Sequence, residues 1–380
     1  MRRRPLRQPL RPPALSVQPE GGAATLPGNV VRDFSAHIVA WQRTHGRSEL
    51  PWQNTRDPYR VWLSEVMLQQ TQVSTVLGYF SRFLDRFPDV AALAAGSEDE
   101  VFGLWSGLGY YSRARNMHRC AQEVVARFGG AFPQTAIELA TLPGIGRSTA
   151  SAIAAFCFGE RVAILDGNVK RVLTRVLGFA GDMSSAAQER ALWALATQLL
   201  PPAGEHQAIA RYTQGVMDLG ATVCLPRRPS CMLCPVNATC VALREGEPER
   251  YPVKTRKLRR TAQSLWLLHA CDMSGRVWLE KRPARGIWAG LYSLPAFESR
   301  EALLDSLSPA EGAAAEDGPA FVHVLTHKDL HLHPIDVTCE ARALSALGDW
   351  FAPEAWSALG LPAPVRKLLT LSSRRAPGAA

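Results

Sequence analysis

Pro143, Gly144 and Gly146 stand almost side by side in LPGIGRSTASAIAAFCFGERVAILD, Leu142 to Asp166, and no regular helix can run through them. Glycine tolerates left-handed backbone and close approach to another surface, so the stretch predicts a tight turn. The small apolar residues from Arg147 to Phe158 then read as a buried helix. A glycine turn opening a helix presents unpaired N–H groups and the positive end of the dipole to an anion. Phosphate held this way needs no side chain that reads bases. An isolated LPGIG fits an ordinary helix–turn–helix corner equally well. Beyond it the apolar run Val162–Leu165 ends at a lone acid, Asp166, placed to cap a helix predicted over Val169–Leu177. A carboxylate beside a phosphate-gripping turn is a candidate for charge chemistry on nucleic acid.

The rest of the chain, up to residue 250, predicts helices without strands. Phe34, Ile38 and Trp41 mark one helix face over Asp33–Gly46. Asp57-Pro58 opens a helix through about Gln70, and a second carries Val73, Val76, Leu77, Phe80 and Leu84. Ser97-x-x-Glu100 is a capping box. GLGYYSR at 107–113 is a glycine turn before a helix to Phe128, and further helices are predicted near 168–178, 185–200 and 205–221. From residue 250 the character changes. Leu265–Ala270 and Val277–Arg282 predict strands around a Ser274-Gly275 turn, with alternating runs at 321–340. The expected fold is mainly α: an all-α body over 29–250, a basic linker over 251–262 and an α+β module over 263–375, behind a disordered Arg/Pro-rich tail over 1–28.

With 380 residues, two or three domains can each bury a core. The net charge of +9 points to a polyanion, but the tail and linker hold enough Arg and Lys to account for all of it. Neither a secretory signal nor a membrane-spanning run is present in the sequence. A cytoplasmic protein with reduced thiols is therefore expected.

Cys224, Cys231, Cys234 and Cys240 form C-x6-C-x2-C-x5-C after the last helix of the body. Four thiols so close, with Pro226, Pro229 and Pro235 between them, can converge on one metal centre; zinc and a four-iron cluster both accept four thiolates. Glu65 lies mid-helix in WLSEVMLQQTQV. It either points to solvent or is desolvated with a raised pKa, and a solvated glutamate is the plainer expectation. Gln69, Gln70 and Thr71 are residue types that hydrogen-bond base edges. Tyr110 and Tyr111 are either base-stacking wedges or lids on a core.

Together, LPWQ, WLSEVMLQQTQV, GLGYYSRARN, LPGIGRSTA, ILDGNVKRV, MDLGATVC and the four cysteines resemble the MutY-type adenine DNA glycosylases of the helix-hairpin-helix superfamily, over roughly residues 30–375. The resemblance implies a body in two α subdomains, a six-helix part over about 57–165 and an iron–sulfur part over about 29–56 and 166–250. It also implies a hydrolase of base-excision DNA repair. Glu65 would be the general acid on adenine, Asp166 the carboxylate that stabilises the sugar cation, and Asn168 its support. Leu142, Gly144, Gly146, Ser148 and Thr149 would grip phosphate. Gln70, Thr71, Leu108 and Tyr110 would fill the stack at the mispaired purine, and Leu68 and Gln214 would line the base pocket. The cysteines would carry a [4Fe–4S] cluster supporting a loop whose Arg227 and Arg228 contact phosphate.

Lyase relatives carry a lysine where this chain has Ser148, so base removal should stop at an abasic site. The C-terminal module resembles a Nudix-like domain without the clustered glutamates that hydrolysis needs. Leu325, Thr326 and His327 align with the family's Phe-Ser-His loop for 8-oxoguanine. The expected partner is duplex DNA with adenine opposite 8-oxoguanine or guanine, and the expected state is a monomer. A bifunctional pyrimidine glycosylase/lyase and a non-catalytic, zinc-dependent DNA-binding protein are the rivals.

Overall fold

The computed structural model describes residues 25–204, 206–256 and 259–373. Most of the tail expected over 1–28, and Lys257 and Leu258 of the linker, lie outside the described residues. Before the linker, regular structure among the described residues is helical: α1 (Gly28–His45), α2 (Pro58–Met67), α3 (Val73–Arg86), α4 (Val90–Ala95), α5 (Glu98–Trp105), α6 (Ser112–Phe128), α7 (Ala136–Leu139), α8 (Arg147–Ile153), α9 (Gly167–Leu177), α10 (Ala186–Gln198), α11 (His206–Thr222) and α12 (Val241–Arg244).

Local chemistry accounts for most of these boundaries. Asp57 accepts the Tyr59 N–H at 2.9 Å ahead of Pro58, and Ser97 and Glu100 form the expected reciprocal cap on α5. Three expectations need correction. Helix α2 stops at Met67 rather than Gln70, because Gln70 turns into left-handed backbone at φ 57. The buried stripe of α3 is Val76, Phe80 and Phe83, with Leu77 40% exposed. Aromatic packing sets that face: Phe83 meets Phe87 at 5.2 Å and Trp105 at 6.4 Å between ring centroids. Helix α8 is α-helical only to Ile153 and widens into a π turn over Ala154–Phe158, closed by Gly159 at φ 70.

Two compact units emerge. The first takes the chain up to Trp62, Pro133–Thr141, and Ile145 into the linker. In it α1 packs along α11, α11 on α9, and α9 on α10 and α12, around Ile38, Val172, Leu173, Leu192 and Leu219.

The second unit takes Leu63–Phe132, Leu142–Gly144 and the chain beyond the linker. The latter contributes β1 (Thr261–Cys271), β2 (Val277–Lys281), β3 (Tyr292–Ser293), β4 (Ala296–Phe297), α13 (Arg300–Leu304), α14 (Pro309–Ala313), β5 (Glu316–Asp317), β6 (Phe321–Val324), β7 (Lys328–Thr338), β8 (Gly348–Phe351), α15 (Pro353–Ser357) and α16 (Ala363–Ser373). The sheet runs β3-β2-β1-β7-β5, with β4 on β1, β6 on β7 and β8 on β2. Strands β1 and β7 are parallel along their whole length, from Thr261 beside Lys328 to Cys271 beside Thr338. Leu265, Leu267, Leu330 and Leu332 pack with Val365 and Leu369 of α16 on one face, while Leu268, Ala270, Ile335 and Val337 pack with Leu303 on the other. Cover on both faces explains why β1 from Leu265 onward is apolar but for His269, rather than alternating.

The sheet module seats closely against α5 and α6. Arg115 donates to the Ala289 carbonyl at 2.6 Å, Tyr111 to that of Leu361 at 3.0 Å, and Arg366 to the Ser106 hydroxyl at 3.0 Å. A β-carbon on Gly103 would fall 2.2 Å from the Ala358 oxygen, and one on Gly360 2.5 Å from the Phe102 β-carbon. Only glycine fits at these crossings.

Candidate active site

The glycine turn is divided in its demands. Gly144 has φ 75, and a β-carbon there would lie 2.7 Å from that of Asn116 on α6. Gly146 sits at φ −78 with open space around it and caps α8, so the expectation of positive φ holds for Gly144 alone. Two residues into α8, the Ser148 hydroxyl accepts the Leu165 N–H at 3.1 Å. That bond pins the extended run delivering Asp166. Asp166 then caps α9, its carboxylate accepting the Val169 N–H at 2.7 Å. Burial pushes the Asp166 carboxyl above its ordinary range, against the opposing pull of the Val169 and Asn168 N–H groups and of Arg171 and Lys170.

The neighbours of Asp166 are equally engaged. Asn168 accepts from Arg171 at 2.8 Å, and the same guanidinium donates to the Gly220 carbonyl at 2.6 Å and the Cys224 carbonyl at 2.7 Å. A β-carbon on Gly220 would sit 2.7 Å from that of Asn168, which gives the glycine of MDLGATVC its physical role. Lys170 pairs with Glu189 at 2.5 Å. Elsewhere in this unit, Gln214 donates at 2.9 Å to Asp218, whose fully buried carboxylate also takes the Arg47 backbone at 3.0 Å and its guanidinium at 2.6 Å.

In the second unit Glu65 is partly buried, between the fully buried Ser64 and Val66 and near Leu63 and Met67. The turn that follows is held by a residue that pattern reading missed. Arg113 donates to the carbonyls of Val66, Met67 and Gln69 at 2.9, 3.0 and 2.6 Å. Its other terminal nitrogen reaches the Thr71 hydroxyl at 3.3 Å and the carbonyls of Leu108 and Gly109 at 3.1 and 3.3 Å. One cation thus ties the QQT turn to the GLGYY turn. Burial lowers its pKa only to about 10, so the charge persists at neutral pH. Each turn carries a non-glycine residue in left-handed backbone, Gln70 at φ 57 and Tyr110 at φ 48, and strain of that kind concentrates at functional sites.

The four cysteines line one hollow together with Val176, Leu219 and Leu243. Among the described residues no group of three or more His, Cys, Asp or Glu is placed to hold a metal ion, although all four cysteines line this one cavity. Burial and the nearness of the other three thiols push Cys234 up to about 12. Arg175, 2% exposed, donates to the carbonyls of Leu225, Pro226 and Tyr251 at 2.7, 3.0 and 3.2 Å, and approaches the Cys224 sulfur at 3.4 Å. A buried guanidinium among carbonyls wants a counter-charge, and thiolates bound to a metal cluster supply it. The donor set fits a four-thiolate cluster. Arg227 and Arg228 are exposed on the same loop.

Comparison with known proteins decides the family. The profile of the HhH-GPD superfamily of base excision DNA repair proteins matches residues 63–198, and that of the NUDIX domain residues 265–371. The adenine DNA glycosylase of Buchnera aphidicola subsp. Acyrthosiphon pisum (strain APS) is 35% identical over 342 residues, which is 88% of this chain and 96% of the relative. The chain belongs to the adenine DNA glycosylases. The human adenine DNA glycosylase is 44% identical over 229 residues, 58% of this chain and 41% of the relative. A solved structure of a thermostable thymine-DNA glycosylase superposes with TM-score 0.50 at 28% identity, covering 57% of this chain and 98% of the other.

Against this family's pattern, some residues take unexpected places in the glycosylase. Leu108 and Leu142 are buried, 6% and 3% exposed, so they shape turns from beneath. Of the tyrosines, Tyr110 is 48% exposed, while Tyr111 lies edge-on to Phe102. Leu325 packs against the sheet core, leaving Thr326 and His327 exposed at the β6–β7 turn. Thr326 and Tyr110 share a hydroxyl–hydroxyl bond of 3.1 Å. Along β7, His331 is exposed, while His333 stacks on Trp266 at 4.6 Å. No helix among the described residues is long and apolar enough to cross a membrane.

Proposed function

We propose that this adenine DNA glycosylase hydrolyses the N-glycosidic bond of adenine opposite 8-oxoguanine, and opposite guanine, in duplex DNA, and releases an abasic site. The reading requires the adenine nucleotide to leave the base stack and to meet two carboxyl groups in different protonation states. Asp166 carries it. Its carboxylate is held by the α9 N-terminus on an extended run pinned by Ser148, a fixed negative charge suited to the cationic sugar left by the departing base. Glu65, partly buried on α2, supplies the proton that turns adenine into a good leaving group. Asn168 keeps its place through Arg171 and Gly220.

Ser148 contributes a hydroxyl to the backbone where a lyase needs a free amine, and Lys170 is paired with Glu189. Both support hydrolysis without strand cleavage. Cys224, Cys231, Cys234 and Cys240 are assigned to a [4Fe–4S] cluster, which when bound cross-links the loop carrying Arg227 and Arg228 by iron–sulfur bonds. Exposed Thr326 and His327 offer a hydroxyl and an imidazole to the lesion base.

Glu65→Gln tests the assignment. It should bind duplex with adenine opposite 8-oxoguanine as wild type does, while alkali-labile product falls at least about a hundredfold. Retained cleavage would reject Glu65 as the acid. A borohydride-trapped covalent adduct would favour the lyase alternative, and a colourless, iron-free, folded protein would favour zinc.

A further inference from the structure

Strands β1 and β7 bring together three groups that base excision does not use. His269 and Asp336 are direct partners in the parallel register, with the imidazole Nδ1 2.6 Å from the carboxylate. Cys271 follows two residues along β1, on the same face, and its sulfur lies 3.6 Å from the imidazole Nε2. The ring is 5% exposed, the Asp336 side chain is 51% exposed, and Cys271, packed at the edge of the sheet core, is partly exposed. Burial alone would discharge this imidazole; the carboxylate and thiol outweigh it and raise its pKa to about 9. Carboxylate, imidazole and thiol in hydrogen-bonding order is the arrangement that activates cysteine nucleophiles.

We propose that Cys271, aligned with His269 and Asp336, is a nucleophilic cysteine and a site of covalent modification by hydroperoxides and soft carbon electrophiles. With hydrogen peroxide, a sulfur lone pair forms the S–O bond as the O–O bond breaks. Hydroxide leaves with that electron pair and takes the proton from the His269 imidazolium as water. Sulfur is oxidised by two electrons to the sulfenic acid, peroxide is reduced by two, and a neutral imidazole remains.

The test is iodoacetamide labelling of the full-length, cluster-loaded protein at pH 7, followed by peptide mapping, with free cysteine as reference. Cys271 should label about tenfold faster than free cysteine and about tenfold slower in His269→Gln. Asp336→Asn, at an exposed position, guards against a misfolded His269 variant and should also slow labelling. Hydrogen peroxide followed by a sulfenic-acid probe should mark the same peptide. Cys271→Ser should abolish the label and leave adenine release unchanged. Labelling no faster than free cysteine, or equal in wild type and both variants, would overturn the proposal.

Discussion

Asp166 caps α9 and, in the function proposed, also serves as a charge; the two roles separate on substitution. Asparagine caps nearly as well as aspartate, so Asp166→Asn should keep α9 and lose adenine release. Its stability should change in a definite sense. The folded pKa lies above the ordinary 3.8, so folding favours the protonated acid. That contribution is present below 3.8 and is lost as pH rises through the higher folded value. Asp166→Asn should therefore be at least as stable as wild type in urea at pH 7 and lose that advantage below pH 4, while wild-type turnover falls as acid protonates the carboxylate. Arg113 gives the second prediction at this scale. Lysine retains the charge but offers three donors in place of five, leaving carbonyls around Gln69 and Gly109 unpaired. Arg113→Lys should weaken binding of mispaired duplex by about 1–3 kcal/mol with little change in the single-turnover rate at saturating enzyme. An equal fall in both would place Arg113 in the chemical step instead.

At the level of elements, the glycine turn offers a stability test. Alanine at Gly144 must adopt left-handed backbone and also push against Asn116, 2.7 Å away. Gly144→Ala should cost about 1–3 kcal/mol in denaturant unfolding; Gly146→Ala, with φ −78 and open surroundings, should cost far less. This contrast marks what sequence could and could not reveal. The Asp57-Pro58 and Ser97–Glu100 starts and the Asp166 cap were legible because capping depends on residues a few positions apart. Which glycine of LPGIG needed its freedom was not, since the obstacle is a side chain on α6. Arg113 and Arg175 were invisible for the same reason. An arginine on a helix looks solvated until distant carbonyls close around it. The stripe on α3 was misplaced because Phe83 answers to Phe87 and Trp105, not to helical spacing alone. The left-handed backbone of Gln70 and Tyr110 had no local signal, as neither is glycine.

Across the whole molecule, the sheet module is bonded into the second unit rather than merely appended to its helices. Lys281 pairs with Asp99 at 2.6 Å, Arg115 and Tyr111 reach its backbone, and Arg366 returns to Ser106. Deleting residues 255–380 should uncover Phe102 of the second unit, against which Gly290 and Gly360 pack. The truncated protein should therefore melt several degrees lower and bind a hydrophobic dye, beyond any loss of preference for 8-oxoguanine over guanine. A truncation with unchanged melting would show that α3–α6 stand without the module.

The glycine crossings at Gly103 and Gly360 also dictate a timetable. Their partners are separated by more than half of these 380 residues, and the Ser106–Arg366 bond spans 260 positions, so a growing polypeptide must reach Arg366 before this unit can close. During synthesis the early helices would carry an open apolar flank. A ribosome stalled near residue 250 should display them as protease-sensitive, and release of the finished chain should bring protection to Leu63–Phe132 and to the sheet together.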